Sequence, residues 1–138
     1  MGFARWFQDR QSGALVVSMG PGDLLLEGIR QAVSESGLHS GAIVSGLGSL
    51  TRASIALLGQ NIDLQEKLEI MQFCGIIAAG EPHVHITLCN AQGRLFGGHL
   101  RENCAISTVA EIAIMPFASL RLVSRQRDGC GMKLLDRE

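Results

Sequence analysis

Apolar side chains along this chain recur with two periods, and the change from one to the other organises it. Leu25, Ile29, Ala32 and Val33 fall at helical spacing after the turn Gly20-Pro21-Gly22-Asp23. Asp23 is placed to cap that helix, Glu27 sits in its first turn, and Gly37 is a natural stop. Ala14 to Met19, just upstream, reads as a short apolar strand. From Gly41 onward the period shortens to that of β-structure. Ala42-Ile43-Val44 and Ala53 to Leu58 are expected as two strands separated by Gly46-Leu47-Gly48-Ser49-Leu50, a bend that permits close backbone approach. Glu66 to Phe73 alternates, and Gly75-Ile76-Ile77-Ala78-Ala79 follows it. Cys104 to Met115 places Ile106, Thr108, Ile112 and Ile114 on one parity, although its alanines also permit a helix. Leu120-Arg121-Leu122-Val123 and Gly131 to Leu135 flank Asp128-Gly129, a hairpin signal. One helix followed by a run of strands predicts an α+β fold with a mostly antiparallel, strongly curved sheet. No composition shift or repeat breaks the chain, so residues 1–138 are expected to form a single domain.

The stretch with most chemistry runs from Glu81-Pro82-His83-Val84-His85-Ile86-Thr87-Leu88 into Phe96-Gly97-Gly98-His99-Leu100 and holds three of the four histidines. His83 and His85 leave one face of a strand, because side chains alternate across it. Ala91-Gln92-Gly93 suits a three-residue hairpin loop with Gly93 in the left-handed position. That loop pairs Asn90 with Arg94, and therefore His85 with His99. The register gathers Val84, Ile86, Leu88, Phe96, Gly98 and Leu100 on one face and leaves His83, His85, Thr87 and His99 on the other. A slip of one residue would put His99 among the apolar side chains. A His-x-His pair alone says little. The third imidazole, reached by register, makes the patch a candidate divalent-metal site with an open position.

Cys89 shares that face but lies four residues from His85, about 13 Å along an extended strand, too far to share one ion. Glu81 could fold back as a hydrogen-bond acceptor for a ligating ring or as an occasional ligand. His39, after the helix, reads as a solvated loop residue. The Gly46-x-Gly48 pair lacks the third glycine and the strand-to-helix setting of a dinucleotide fingerprint, and no nucleophile elbow or phosphate loop occurs.

Composition narrows the classes. Hydrophobic residues make up 46% of the chain and charged residues only 18%, against about a quarter charged in an average globular protein. A chain this short of charge is expected to cover part of its surface by self-association. With a net charge of −1 there is no global electrostatic case for nucleic acid. Arg121, Arg125, Arg127, Lys133 and Arg137 are the nearest approach to a basic patch, but Asp128, Asp136 and Glu138 interleave with them. No apolar run reaches the length of a membrane span, and Met1 to Phe7 has neither a leader's apolar core nor a myristoylation pattern. Cys74, Cys89, Cys104 and Cys130 lack tight spacing and are expected to be reduced and mostly buried, as in a cytoplasmic protein.

Several motifs then fall in a familiar order. Pro21-Gly22-Asp23-Leu24 opens a helix, followed by Ser45-Gly46-Leu47-Gly48-Ser49-Leu50, Leu68-Glu69-Ile70, Pro82-His83-Val84-His85-Ile86, Gly97-Gly98-His99-Leu100 and Thr108-Val109-Ala110-Glu111. Over about residues 13 to 136 the chain resembles the "plants and prokaryotes conserved" (PPC) domain, in its stand-alone prokaryotic form. The resemblance implies a compact α+β subunit that forms a homotrimer, with a metal site at His83, His85 and His99. Plant members carry AT-hooks that grip the DNA minor groove; this chain has no Arg-Gly-Arg-Pro hook. It also departs from the family at Ile76-Ile77-Ala78-Ala79-Gly80, where a longer and more polar segment is common.

Two functional readings follow. In the first, each subunit holds a divalent ion, best Zn2+ because imidazole suits it, and binds a small ligand or substrate near the subunit boundary. Glu111 and Glu81 are then the candidate proton-handling groups, with Glu111 otherwise an exposed or interface-paired acid. In the second, the domain is a DNA-associated regulatory or protein-interaction module whose metal is structural or absent. No specific nucleic-acid binding by the isolated chain, and no membrane association, is expected.

Overall fold

The computed structural model describes residues 4–138; the reading of Met1, Gly2 and Phe3 as no part of a leader or acylation signal lies outside them. Strands β1 (Arg5–Gln8) and β2 (Leu15–Met19) precede helix α1 (Leu25–Ser36). Then come β3 (Gly41–Leu57), β4 (Gln60–Leu64), β5 (Leu68–Ala78), β6 (Glu81–Asn90), β7 (Leu95–Leu100) and β8 (Ala105–Pro116). A terminal hairpin, β9 (Leu122–Gln126) and β10 (Lys133–Arg137), forms a separate two-stranded sheet. The main sheet runs β1-β2-β8-β3-β5-β6-β7, with β4 also on β3 and every pairing antiparallel. Strand β7 returns to β3, Leu100 facing Ile55 and His99 facing Ala56, so β3, β5, β6 and β7 close into a ring. Closure of a sheet on itself is the strong curvature expected, and it removes two exposed edges.

The ring is filled by Leu50, Ile55, Leu68, Ile70, Phe73, Val84, Ile86, Leu88 and Leu100, all buried. Helix α1 lays Leu25, Leu26, Ile29, Ala32 and Val33 against β2, β6 and β8. Its end is as the sequence predicts: Gly37 is left-handed (φ 73°), and the Leu38 N–H donates to the Val33 carbonyl at 3.2 Å. Its start is not. Asp23 does not cap the helix; its Oδ2 accepts from the Gly20 N–H at 2.8 Å, and Leu24 holds the cap position without a side-chain bond. Backbone bonds to the start of β8 do that work, Leu25 N–H to Cys104 O and Ile106 N–H to Asp23 O, each 2.9 Å. Asp23 is therefore spent on closing the preceding turn.

Several strand expectations also change. The two strands expected between Gly41 and Leu58 are one long strand, because the glycine segment bulges rather than breaks. At Gly46 a Cβ would stand 2.7 Å from Phe73, so the close approach foreseen there is real. Likewise Glu66–Phe73 and Gly75–Ala79 merge into β5, because its pairing with β6 runs unbroken through Cys74; the register shift falls earlier, between Ile70 and Gln72. The strand expected over Cys104 to Met115 does form, as β8, since pairing to both β2 and β3 outweighs the helix preference of its alanines. Strands β1 and β4 carry too weak a pattern to be anticipated. All four cysteines are free, but only Cys104 is buried; Cys74 is exposed. His39 is no bare loop residue: its Nδ1 lies 2.8 Å from Ser40 Oγ and its Nε2 3.1 Å from Glu138, which docks the chain's C-terminal end. Among the described residues no helix is long and apolar enough to cross a membrane.

Candidate metal centre

The hairpin β6–β7 builds the site. Its loop is the expected one: Asn90 N–H donates to Arg94 O at 3.0 Å, Asn90 Oδ1 accepts from the Gln92 and Arg94 N–H groups, and Gly93 has φ +79°. The register that follows faces His85 with His99 and buries Val84, Ile86 and Leu88 on the opposite side. Gly98 is what lets β7 also reach β3. A Cβ there would lie 2.5 Å from the Ala56 carbonyl oxygen, so any larger residue would push His99 away from the ring.

The outcome is a triangle of imidazoles. Ring centroids are 4.9 Å apart for His83 and His99, 5.5 Å for His83 and His85, and 5.8 Å for His85 and His99. One nitrogen from each ring lies within 4.8 Å of the other two. A tetrahedral zinc ion with bonds of about 2.0–2.1 Å would hold its nitrogens about 3.4 Å apart, a modest ring rotation away. Among the described residues none of the three rings hydrogen-bonds to protein, so their nitrogens are free to ligate. Burial, then the neighbouring His83, His85 and Arg101, pulls the His99 pKa below the ordinary imidazole value, which favours the neutral, ligating form. The residues fit a divalent ion.

The two carboxylate candidates fare differently. Glu81 borders a cleft with His83 and His99, but its Oε1 accepts from Arg30 at 2.8 and 3.1 Å. The same guanidinium reaches Glu102 at 2.8 Å. Arg30 thus ties α1 to the start of β6 and the end of β7, and its hydrogen bond holds the Glu102 carboxyl below its usual range. Glu111 is not brought to the triad. It is exposed on β8 opposite Ser18 and Leu47, with β3 and β5 between it and β6.

Three clefts meet at the histidines. The largest, about 670 Å³, passes His85 and His99 toward Leu57, Leu58 and Gln72. A second, about 300 Å³, lies between His83, His85 and the terminal hairpin. The third, about 480 Å³, carries Arg30, Glu81, Arg101 and Glu102. Sequence reasoning passed over Arg30, Arg101, Glu102 and Cys74. Cys74 was within reach: the tight turn at Ala79-Gly80 pairs Ala78 with Glu81, and counting outward sets Cys74 opposite His85. Arg30 carries no local signal, because helix docking alone brings it to the site.

Against this geometry the relatives can be placed. The chain is 37% identical over 110 residues to the bifunctional protein GlmU of Synechococcus sp. (strain JA-3-3Ab), covering 78% of this chain. It spans only 18% of that protein's length, so the match is to one segment of a much larger polypeptide. Among solved structures, a proposed DNA-binding protein of Bacteroides thetaiotaomicron superposes with a TM-score of 0.86 at 18% identity, over 98% of each chain. A metal-containing protein of Archaeoglobus fulgidus superposes with a TM-score of 0.75 at 23% identity, over 97% of this chain and 98% of that one. These two likenesses establish the fold. The sequence itself, over residues 8–118, matches the Plants and Prokaryotes Conserved domain, and the chain belongs to that family.

Proposed function

We propose that His83, His85 and His99 hold one divalent ion per subunit, best Zn2+, and that the site binds a small ligand or substrate. The observation that carries this reading is the convergence of three unpaired imidazoles, from two strands of one hairpin, on one polar face. A bound ion would supply Lewis acidity there. The chain's own residues do the rest. Val84, Ile86 and Leu88 anchor the hairpin from beneath, and Gly98 fixes how near β7 stands to β3. Arg30 holds Glu81 off the rings, so a proton-handling role for Glu81 requires that ion pair to open. The related metal-containing protein of Archaeoglobus fulgidus supports the reading by its name.

The subunit is proposed to form a homotrimer, with the site near the subunit boundary. Support comes from the outer face of β1, β2, β8 and β3. Phe7 faces Val16, Val16 faces Ala113, and Glu111 faces Leu47, which sets these side chains on one surface with Val44, Val109 and Met115. All but Ala113 are exposed, Val44 at 55% and Leu47 at 52%, and so broad an apolar face suits a partner copy. Glu111 then belongs to an interface rather than to catalysis. The DNA-associated reading rests on the names of fold relatives.

Calorimetric titration of chelator-treated, untagged protein with Zn2+ tests the metal. Binding near one equivalent, abolished in His85→Ala and in His99→Ala, is the expected result; equal binding by those variants would remove the triad from the account.

A further inference from the structure

The terminal hairpin lies beyond the segment matched to the family, residues 8–118, yet it closes one side of the histidine site. β9 packs beside β5, and its pairing with β10 sets Ser124 opposite Leu135 and Gln126 opposite Lys133. Ser124, Leu135 and Lys133 therefore share one hairpin face, and that face borders the 300 Å³ cleft whose other wall includes Cys74, Ile76, His83 and His85.

The charges around the site favour one class of occupant. The acids nearest the triad, Glu81 and Glu102, are both committed to Arg30. One guanidinium offsets only one of these two carboxylates, so the cluster sets a single negative charge against the double positive charge of a divalent ion on neutral imidazoles, and the centre would stay positive. Two more cations stand beside it: Arg101, which leaves β7's edge two residues after His99, and Lys133 from the hairpin. Among the described residues neither side chain makes an ion pair. Ile76 and Leu135 give the Lys133 cleft apolar walls that suit a short carbon skeleton.

We propose that Lys133 is the recognition residue for a small oxyanion, a short-chain carboxylate above all, bound at the triad; this rests on the metal reading above. The ion takes one end of the anion, and the Lys133 ammonium lies across the cleft to meet its charge. The hairpin thereby brings to the site a residue from outside the segment matched to the family, residues 8–118.

Cobalt-loaded, full-length protein provides the test, because the visible bands of Co2+ respond to a change of ligand while elemental analysis counts the ion. Titration with propionate should shift the bands saturably, and Lys133→Gln should weaken that binding by about two- to fivefold, the scale of one exposed charge pair. Cobalt stoichiometry and melting temperature should not change, and Lys133→Arg should restore affinity. Inorganic phosphate forms the second arm: tighter binding than propionate, with the same dependence on Lys133, keeps the oxyanion site but makes its ligand a phosphate. Equal affinity in wild type and Lys133→Gln, or spectra indifferent to both anions while cobalt is bound, overturns the proposal and leaves the metal site standing. Failure to bind cobalt at all overturns the metal reading, and this inference with it.

Discussion

His99 stands directly opposite His85 across the β6–β7 pair, with ring planes 87° apart, while its other neighbour, Ala56, belongs to β3. One residue thus takes part both in the triad and in the seam that closes the ring of strands. Anything that loosens the seam should loosen the site.

Gly98→Ala tests that coupling. The added methyl meets the Ala56 carbonyl, and relieving the clash must part β7 from β3. We expect destabilisation of about 1–3 kcal/mol, the usual range for overpacking, together with weaker zinc binding. Thermal unfolding and zinc titration measure the two effects. Normal stability and affinity would show that β7 adjusts without moving His99.

Arg30→Ala should cost little stability, no more than about 1 kcal/mol, because surface ion pairs are screened, and the Arg30 side chain is 37% exposed. Its effect should appear in ion affinity. Removing a cation and freeing Glu81 beside His83 raises the local negative charge, so zinc should bind somewhat more tightly. Competition against a chromophoric chelator measures this, and weaker binding in the variant would mean that Arg30 positions the hairpin instead.

Much of the site was legible because its determinants are local. The loop Ala91-Gln92-Gly93 sets the register, and the alternation of Val84, Ile86 and Leu88 with His83, His85 and Thr87 sets the faces. Arg30 and Lys133 were not legible as parts of the site, since α1 and the terminal hairpin reach it only through tertiary docking. Asp23 misled for a related reason: its side chain suits a helix cap, but backbone groups of Cys104 and Ile106 already secure the helix start. The glycines of β3 mark a real bend, yet pairing on both sides carries the strand through it.

Light scattering at micromolar concentration should report about three times the subunit mass of 14.8 kDa. Leu47→Asp, placing a charge on the exposed apolar face, should yield folded monomers. A wild-type monomer, or an unaffected assembly in the variant, would move the interface elsewhere.

Duplex DNA should bind negligibly at physiological salt. The net charge is −1, and part of the C-terminal basic patch is paired where it stands: Arg121 with Glu138, and Arg125 at 3.8 Å from Asp136. Titrating labelled duplexes at several salt concentrations decides it, because phosphate-driven binding falls steeply with salt. Submicromolar, salt-sensitive binding would mean that assembly creates a basic surface, and would favour the regulatory reading.

The central claim is most directly tested by the metal content of the purified protein. Elemental mass spectrometry of untagged protein, after incubation with Zn2+ and removal of the excess, should find close to one zinc per chain. His83→Ala, His85→Ala and His99→Ala should each lose most of it while remaining folded. Wild-type protein carrying only traces of metal, or all three variants retaining a full equivalent, would contradict the account.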